Sequence, residues 1–317
     1  MRKELGTFIL LVLLCIVLAI REPLFLGADN LQNLARLIGI YGIFSIGLGM
    51  VIITGGIDLS VGSVFALLGV LLSIFLVQWH LSAALAVLAV VGITTLLGLF
   101  NGLLITKVKI QPFIVTLCGL LFYRGLARYV ANDETKGFGS AEGFETLKNM
   151  AVGSVFGIPT PFIILVVVSI IMWVVLHRSV YGRYLFAVGR NETASRYSGI
   201  NSDLVIMGAY IVCGLLAGVA GILLAFYTNS VSPSSHGNFY ELYGIAAAVL
   251  GGCSLRGGEG SIVGILIGTA LLQVLQNLVN LLAIPSSLNL SVMGAVILIG
   301  VVADQLIRQR QAAKMAK

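Results

Sequence analysis

The side chains able to do chemistry in this sequence are few, and the densest group interrupts an apolar run: Thr54-Gly55-Gly56-Ile57-Asp58-Leu59-Ser60-Val61-Gly62-Ser63. A carboxylate placed just before a hydrophobic stretch resumes can accept hydrogen bonds from the free amides at a helix start, with Ser60 sharing the task. The same carboxylate can instead meet a polar solute. Irregular backbone inside an apolar chain survives only where it is buried in protein or faces a watery cavity. A second break, Gly251-Gly252-Cys253-Ser254-Leu255-Arg256-Gly257-Gly258-Glu259-Gly260-Ser261, repeats the skeleton of paired glycines, a leucine and then Gly-Ser. That likeness hints at an internal duplication, and broken helices in matching halves point to a pathway through a bundle.

Other polar residues lie near the ends of apolar segments. Glu241 opens a short one, Arg124 and Arg128 stand four apart on one helix face, and Asn101 and Gln111 flank another inner end. Such groups either form structural pairs or line a polar path. Chemistry beyond this is hard to assemble. There is no Gly-x-Ser-x-Gly and no His-Glu-x-x-His, and His80, His177 and His236 fall at three separate positions. Cys15, Cys118, Cys213 and Cys253 are isolated in apolar segments, which suits small buried hydrophobes better than a metal site or a disulfide framework. Gly257-Gly258-Glu259-Gly260-Ser261 lacks the lysine with which a phosphate-binding loop holds a nucleotide. Sparse intramembrane carboxylates also leave little with which to read an ion gradient, so an energy source must be attached from outside.

A place for that attachment is the polar, Gly-bearing and basic stretch 178–203, which carries Arg183, Arg190 and Arg196 between nearly charge-free segments.

These residues need elements to position them, and composition says what kind. Of 317 residues 58% are apolar and 10% charged, against roughly 25% charged in an average soluble domain. Mean hydropathy is +1.05. The apolar excess runs the whole length, so the sequence predicts an all-α polytopic membrane bundle forming a single domain over 1–317. Hydropathy predicts about ten membrane helices near 5–22, 31–54, 59–78, 81–105, 112–131, 160–177, 204–226, 241–253, 260–283 and 288–306, the eighth short. The first is read as a retained helix, since Arg21-Glu22-Pro23 offers no small-x-small cleavage pattern. With both termini cytoplasmic, the inner loops collect most of the 19 basic residues. The net charge of +6 is thereby a matter of topology and not of nucleic-acid binding. Segment 132–159 becomes an outer loop, either a connector or a docking surface. Glycines at helix-packing spacing, Gly214, Gly218 and Gly221 or Gly264 and Gly268, predict close helix approach.

The ordered motifs Gly55-Gly56-Ile57-Asp58-Leu59-Ser60-Val61-Gly62-Ser63, Gly182-Arg183 through Ala187-Val188-Gly189-Arg190-Asn191 to Ser198-Gly199-Ile200, and Glu241-Leu242 through Gly251-Gly252, Ser254-Leu255-Arg256-Gly257-Gly258 and Gly260-Ser261 resemble the membrane subunits of ribose-type monosaccharide ABC importers. The resemblance covers roughly residues 31–306. It implies a bacterial inner-membrane permease that works as a dimer with a second permease copy or paralogue, a cytoplasmic ATPase that binds ATP and Mg, and a periplasmic sugar-binding protein. The chain itself would carry no cofactor and no catalytic residue. Residues 182–200 would match the family's coupling segment, with Gly182, Arg183, Gly189, Arg190, Asn191, Glu192, Arg196 and Gly199 as its contacts. Gly55, Gly56, Asp58, Ser60, Ser63, Asn101, Glu241, Gly251, Gly252 and Ser254 would mark the helix breaks and the translocation pathway. The family's usual Glu-Leu-Asp-Ala is here Glu241-Leu242-Tyr243-Gly244. The competing reading is a stand-alone ion-coupled carrier or channel for small polar solutes; an intramembrane enzyme fits least.

Overall fold

An apolar run in lipid must satisfy its amides internally, and the chain does so by helix formation. The computed structural model describes residues 2–139 and 143–285, with isolated positions as far as Val302. Among the described residues, eight helices are long and apolar enough to cross a membrane. In chain order the helices are α1 (Arg2–Arg21), α2 (Ala28–Ile53), α3 (Val61–Ser73), α4 (Ala83–Thr106), α5 (Pro112–Ala131), α6 (Glu145–Val152), α7 (Thr160–His177), α8 (Val180–Arg190), α9 (Glu192–Tyr197), α10 (Ser202–Thr228), α11 (Tyr240–Leu250) and α12 (Ile262–Leu281). A π-helical turn, Ile74–Gln78, prolongs α3. The predicted spans thus appear within a few residues of their expected ends, and the eighth is short as expected. The predicted helix 288–306 lies largely outside the described residues.

The centre of the bundle is α2, α3 and α10. Every residue from Gly39 to Ile53 of α2 is buried, whereas α1, α4, α5 and α7 keep one apolar face outward, where lipid can replace water. Close approach rests on small residues, as their spacing predicts. A methyl on Gly214 of α10 would meet the Thr94 carbonyl of α4, and one on Gly98 of α4 the Tyr210 carbonyl of α10. In the same way Gly264 and Gly268 of α12 press against Gly251 and Ala247.

Two stretches read as loops carry more structure than hydropathy reveals. Within 132–159, α6 and a hairpin pairing Ser154–Val155 with Ile158–Pro159 fold onto the end of the bundle away from stretch 178–203. Lys136–Gly137 pairs antiparallel with Ser230–Val231. Phe138 is fully buried and its ring lies 4.6 Å from that of Phe226, so aromatic burial ties the segment down. At the other end, stretch 178–203 folds into α8 and α9. The cysteines divide: Cys213 and Cys253 are buried as expected, but Cys118 is exposed and Cys15 half-buried, because α5 and α1 are peripheral.

Candidate functional site

The first break is held by side chains from four helices. Asp58 is 3% exposed. Its carboxylate accepts hydrogen bonds from the Ser60 amide at 2.8 Å and the Ser60 hydroxyl at 2.6 Å, with the Cys213 thiol as a further partner. Asn101 Nδ2 of α4 donates to Ser60 Oγ at 3.2 Å, and the Tyr123 hydroxyl of α5 donates to Asn101 Oδ1 at 3.0 Å. The donors therefore point one way, from Tyr123 through Asn101 and Ser60 to the carboxylate, as an anionic acceptor at the end of the chain requires. Ser60 occupies the N-cap of α3 without capping it through its own hydroxyl, because that hydroxyl is turned to Asp58. The exposed-backbone problem of the break is met at Ile57, whose carbonyl accepts from Tyr210 at 3.2 Å and Thr116 at 3.3 Å. Ser63 donates to the Leu120 carbonyl at 2.7 Å and pins α3 to α5.

Below this network, Thr54, Gly55 and Gly56 border a cavity of about 340 Å³ shared with Gln111, Lys109, Glu192, Asp203 and Tyr210. It lies at the end of the bundle that carries stretch 178–203. Asn101 stands five residues from the end of α4, a depth of about 8 Å.

Further along, Arg124 of α5 stands about 18 Å from the first residue of its helix, Pro112. Its guanidinium donates to three carbonyls: His236 at 2.7 Å, Pro233 at 3.1 Å and Gly62 at 3.2 Å. Glu241, 6% exposed, lies against the Gly62 backbone at the start of α11. Arg124 thus joins the start of α3 to the loop before α11. Its sequence neighbour on that face, Arg128, faces outward and pairs with Asp133 at 2.6 Å. That hydrogen bond holds the Asp133 carboxyl below its usual range. His236 is 8% exposed. Burial, helped by the Arg124 charge, lowers its pKa to about 4, so the imidazole is neutral at pH 7.

The second break does not copy the first in its side-chain contacts. Gly252 has φ +95°, and Ser254 opens a tight loop in which its amide donates to the Glu259 carbonyl at 3.1 Å. Ser261 caps α12 through its own hydroxyl, accepting from Gly264 N at 2.9 Å, which is the role Ser60 gives up to Asp58. Gly251 is buried where α11 meets α12.

The end of the bundle that carries stretch 178–203 gathers basic residues. Asp203 at the start of α10 binds Lys107 and Lys109, each at 3.0 Å, and also Arg196. Arg196 binds Glu192 at 2.8 Å as well. Arg196 and Glu192 are therefore engaged within the chain, locking α9 to α10 and to the α4–α5 turn. Asn191 caps α9 by accepting from Ala194 N at 2.9 Å. Gly199 ends it with φ +83°, its amide and that of Ile200 closing on Arg196 and Ser195 carbonyls in the way that glycine stops a helix. Gly182 lets α8 pass against the Leu176 carbonyl of α7. α8 is amphipathic: Leu185 and Val188 are buried, while Arg183 and Arg190 are exposed and make no ion pair among the described residues. All three arginines singled out from sequence are exposed; among the described residues Arg196 alone of them is ion-paired.

A multi-pass bundle with interrupted spans and amphipathic helices laid on one end has the build of a membrane permease component. A family model agrees: the permease component of branched-chain amino acid transport systems matches residues 30–301, and the chain belongs to that family. The ribose import permease protein RbsC of Bacillus subtilis is 42% identical over 304 residues, covering 96% of this chain and 93% of the relative. The galactofuranose transporter permease protein YtfT of Escherichia coli is 34% identical over 256 residues, covering 81% and 74%. The D-allose transport system permease protein AlsC of Escherichia coli is 31% identical over 303 residues, covering 95% and 91%. The resemblance to ribose-type permeases carried by the three motifs therefore extends along nearly the whole chain. No solved structure matches it.

Proposed function

We propose that this chain is the membrane subunit of a bacterial inner-membrane ABC importer for a monosaccharide or related polyol. The sugar class is supported by the relatives, whose names specify ribose, galactofuranose and allose. Two permease copies, or this chain and a paralogue, form the working unit. A cytoplasmic ATPase binds ATP and Mg and seats on α8 and α9, and a periplasmic binding protein delivers sugar to the outer end, where 132–159 lies. The observation that carries the reading is α8 itself. Its apolar face is buried against the bundle and its opposite face offers Arg183 and Arg190, which make no ion pair among the described residues. Cations left unpaired on an exposed helix are available to carboxylates of a docking groove.

Residues Gly55, Gly56, Asp58, Ser60, Ser63, Asn101, Glu241, Gly251, Gly252 and Ser254 then serve the pathway as its frame. Asp58, Ser60, Ser63 and Asn101 are no more than 3% exposed, and they hydrogen-bond with each other, with Tyr123 and with backbone. Their role is to hold broken helices in register beside the inner cavity, whose wall includes Gly55 and Gly56.

The docking role is tested by reversing Arg183 and Arg190 to Glu while leaving Arg196 in place. Loss of ATPase co-purification by about tenfold or more is expected, with the variant inserted and folded normally. Undiminished co-purification would remove the ATPase from α8.

A further inference from the structure

The two helix breaks and the proposed ATPase-docking helix meet at one point. Ile53 is the last residue of α2, and its carbonyl accepts a hydrogen bond from Gly258 N at 2.8 Å. Gly189, the penultimate residue of α8, lies in the same spot. A methyl there would run into the Ile53 carbonyl and come within 2.6 Å of Gly258 N. A methyl on Gly257 would lie 2.6 Å from the Gly189 carbonyl and 2.9 Å from Gly55 N, and one on Gly258 about 3.0 Å from the Arg190 backbone. Three backbones from α2, α8 and the α11–α12 loop are therefore in direct contact, with glycine where a side chain would separate them.

We infer that Gly189, Gly257 and Gly258 form a backbone junction through which displacement of α8 is passed at once to both helix breaks. The inference rests on the proposed seating of an ATPase on α8 and α9. Contact without side chains matters because a flexible side chain absorbs a push by changing rotamer, whereas close-packed backbone transmits it. The junction also adjoins the inner cavity, whose wall begins at Thr54, Gly55 and Gly56. A shift of α8 therefore reaches the lining of that cavity through the end of α2. At the same time it reaches α11 and α12 through Gly257 and Gly258. The three glycines are positioning residues; none needs to touch solute.

Gly189 gives the cleanest test. Gly257 and Gly258 have φ of +83° and +74°, so alanine there adds backbone strain to crowding. Gly189 is in a helix without that strain, and alanine is the better helix former, so any loss on substitution comes from the contact. The complex of this chain with its ATPase and binding protein is reconstituted in liposomes with whichever of D-ribose, D-allose and D-galactofuranose the unsubstituted complex carries. For Gly189→Ala the expected result is normal ATPase co-purification with sugar moved per ATP hydrolysed reduced about tenfold or more. Gly92→Ala, on α4 with open space around it, should leave the ratio unchanged. A Gly189→Ala complex with the unsubstituted ratio overturns the junction alone. Failure of the ATPase to co-purify with the unsubstituted chain overturns the docking reading and the junction with it. Should Gly189→Ala not assemble, spin labels at Tyr184→Cys and Arg256→Cys, both exposed, report on an intact junction. Their separation is expected to hold constant between nucleotide-free and ATP-trapped complexes. A change in that separation overturns the inference.

Discussion

Arg124→Met is expected to lower the thermal unfolding midpoint of the purified, detergent-solubilised protein by several degrees. The guanidinium supplies donors to the Gly62, Pro233 and His236 carbonyls and a positive charge near buried Glu241. Methionine fills much of the volume and supplies neither. Hydrogen bonds to charged groups contribute about 1.5–3 kcal/mol each, and three carbonyls lose their donor together. The contacts are part-buried, so a net loss of about 2–3 kcal/mol is expected, below the range for a fully buried charged contact. Lysine restores charge without the planar fork, so Arg124→Lys should recover only part of the loss. A midpoint unchanged in Arg124→Met would show that the loop before α11 is held to α3 by packing and not by this residue.

Asp58→Ala is expected to cut sugar uptake about tenfold or more, because the chain of donors from Tyr123 through Asn101 and Ser60 loses its terminal acceptor. The Ser60 amide and hydroxyl are buried, and each unsatisfied group costs about 1–3 kcal/mol. The start of α3 should then loosen beside the inner cavity. Asp58→Asn separates the two readings that the sequence allows. Its amide oxygen can still accept from Ser60, so a capping role predicts uptake near that of the unsubstituted chain. Direct attraction of solute by the charge predicts that Asn is as damaging as Ala. Uptake and unfolding midpoint measured on both variants decide between them; in the structure Asp58 accepts from the Ser60 amide and hydroxyl, and no side chain caps α3.

Much of this architecture is legible in the sequence because bilayer-spanning helices announce themselves by length and composition. The spans and both glycine-marked breaks are in that class. So is the special character of 178–203, whose charges stand out against apolar neighbours. What escaped were contacts between residues far apart in the chain. Nothing local links Asn101 to Ser60, or Tyr123 to Asn101, yet these four-helix hydrogen bonds define the first break. Tyr123 sits beside Arg124, already marked as a polar residue in a span, and that adjacency was the one available signal. Lys107 and Lys109 read as ordinary inner-loop cations, although Asp203, more than ninety residues on, claims both. Charge alone groups Arg196 with Arg183 and Arg190, and only folding shows that, among the described residues, an ion-pair partner lies within reach of Arg196 and not of the other two. α6 was hidden for a different reason. Eight residues of mixed polarity give no hydropathy signal, and the aromatic anchors that order the segment, Phe138, Phe144 and Phe226, come from separate parts of the chain.

Skeletal likeness between the two breaks is a further case. Paired glycines and a following Ser recur, and both breaks sit where a helix must restart. Yet Ser60 is engaged by Asp58 and Asn101, while Ser261 caps its own helix. The likeness covers the backbone interruption and not the polar contacts. A common backbone device can thus serve two different surroundings, one facing the polar network of α4 and α5 and the other the packed glycines of α12.

The central claim is that this chain forms the path and that partners supply energy and selection. Uptake of labelled D-ribose, D-allose and D-galactofuranose into liposomes, with this chain, its co-encoded ATPase and its binding protein added in every combination, tests it most directly. The account predicts ATP-dependent accumulation of one of these sugars only when all three components are present; gradient-driven flux through this chain alone would contradict it and make the protein a carrier or channel.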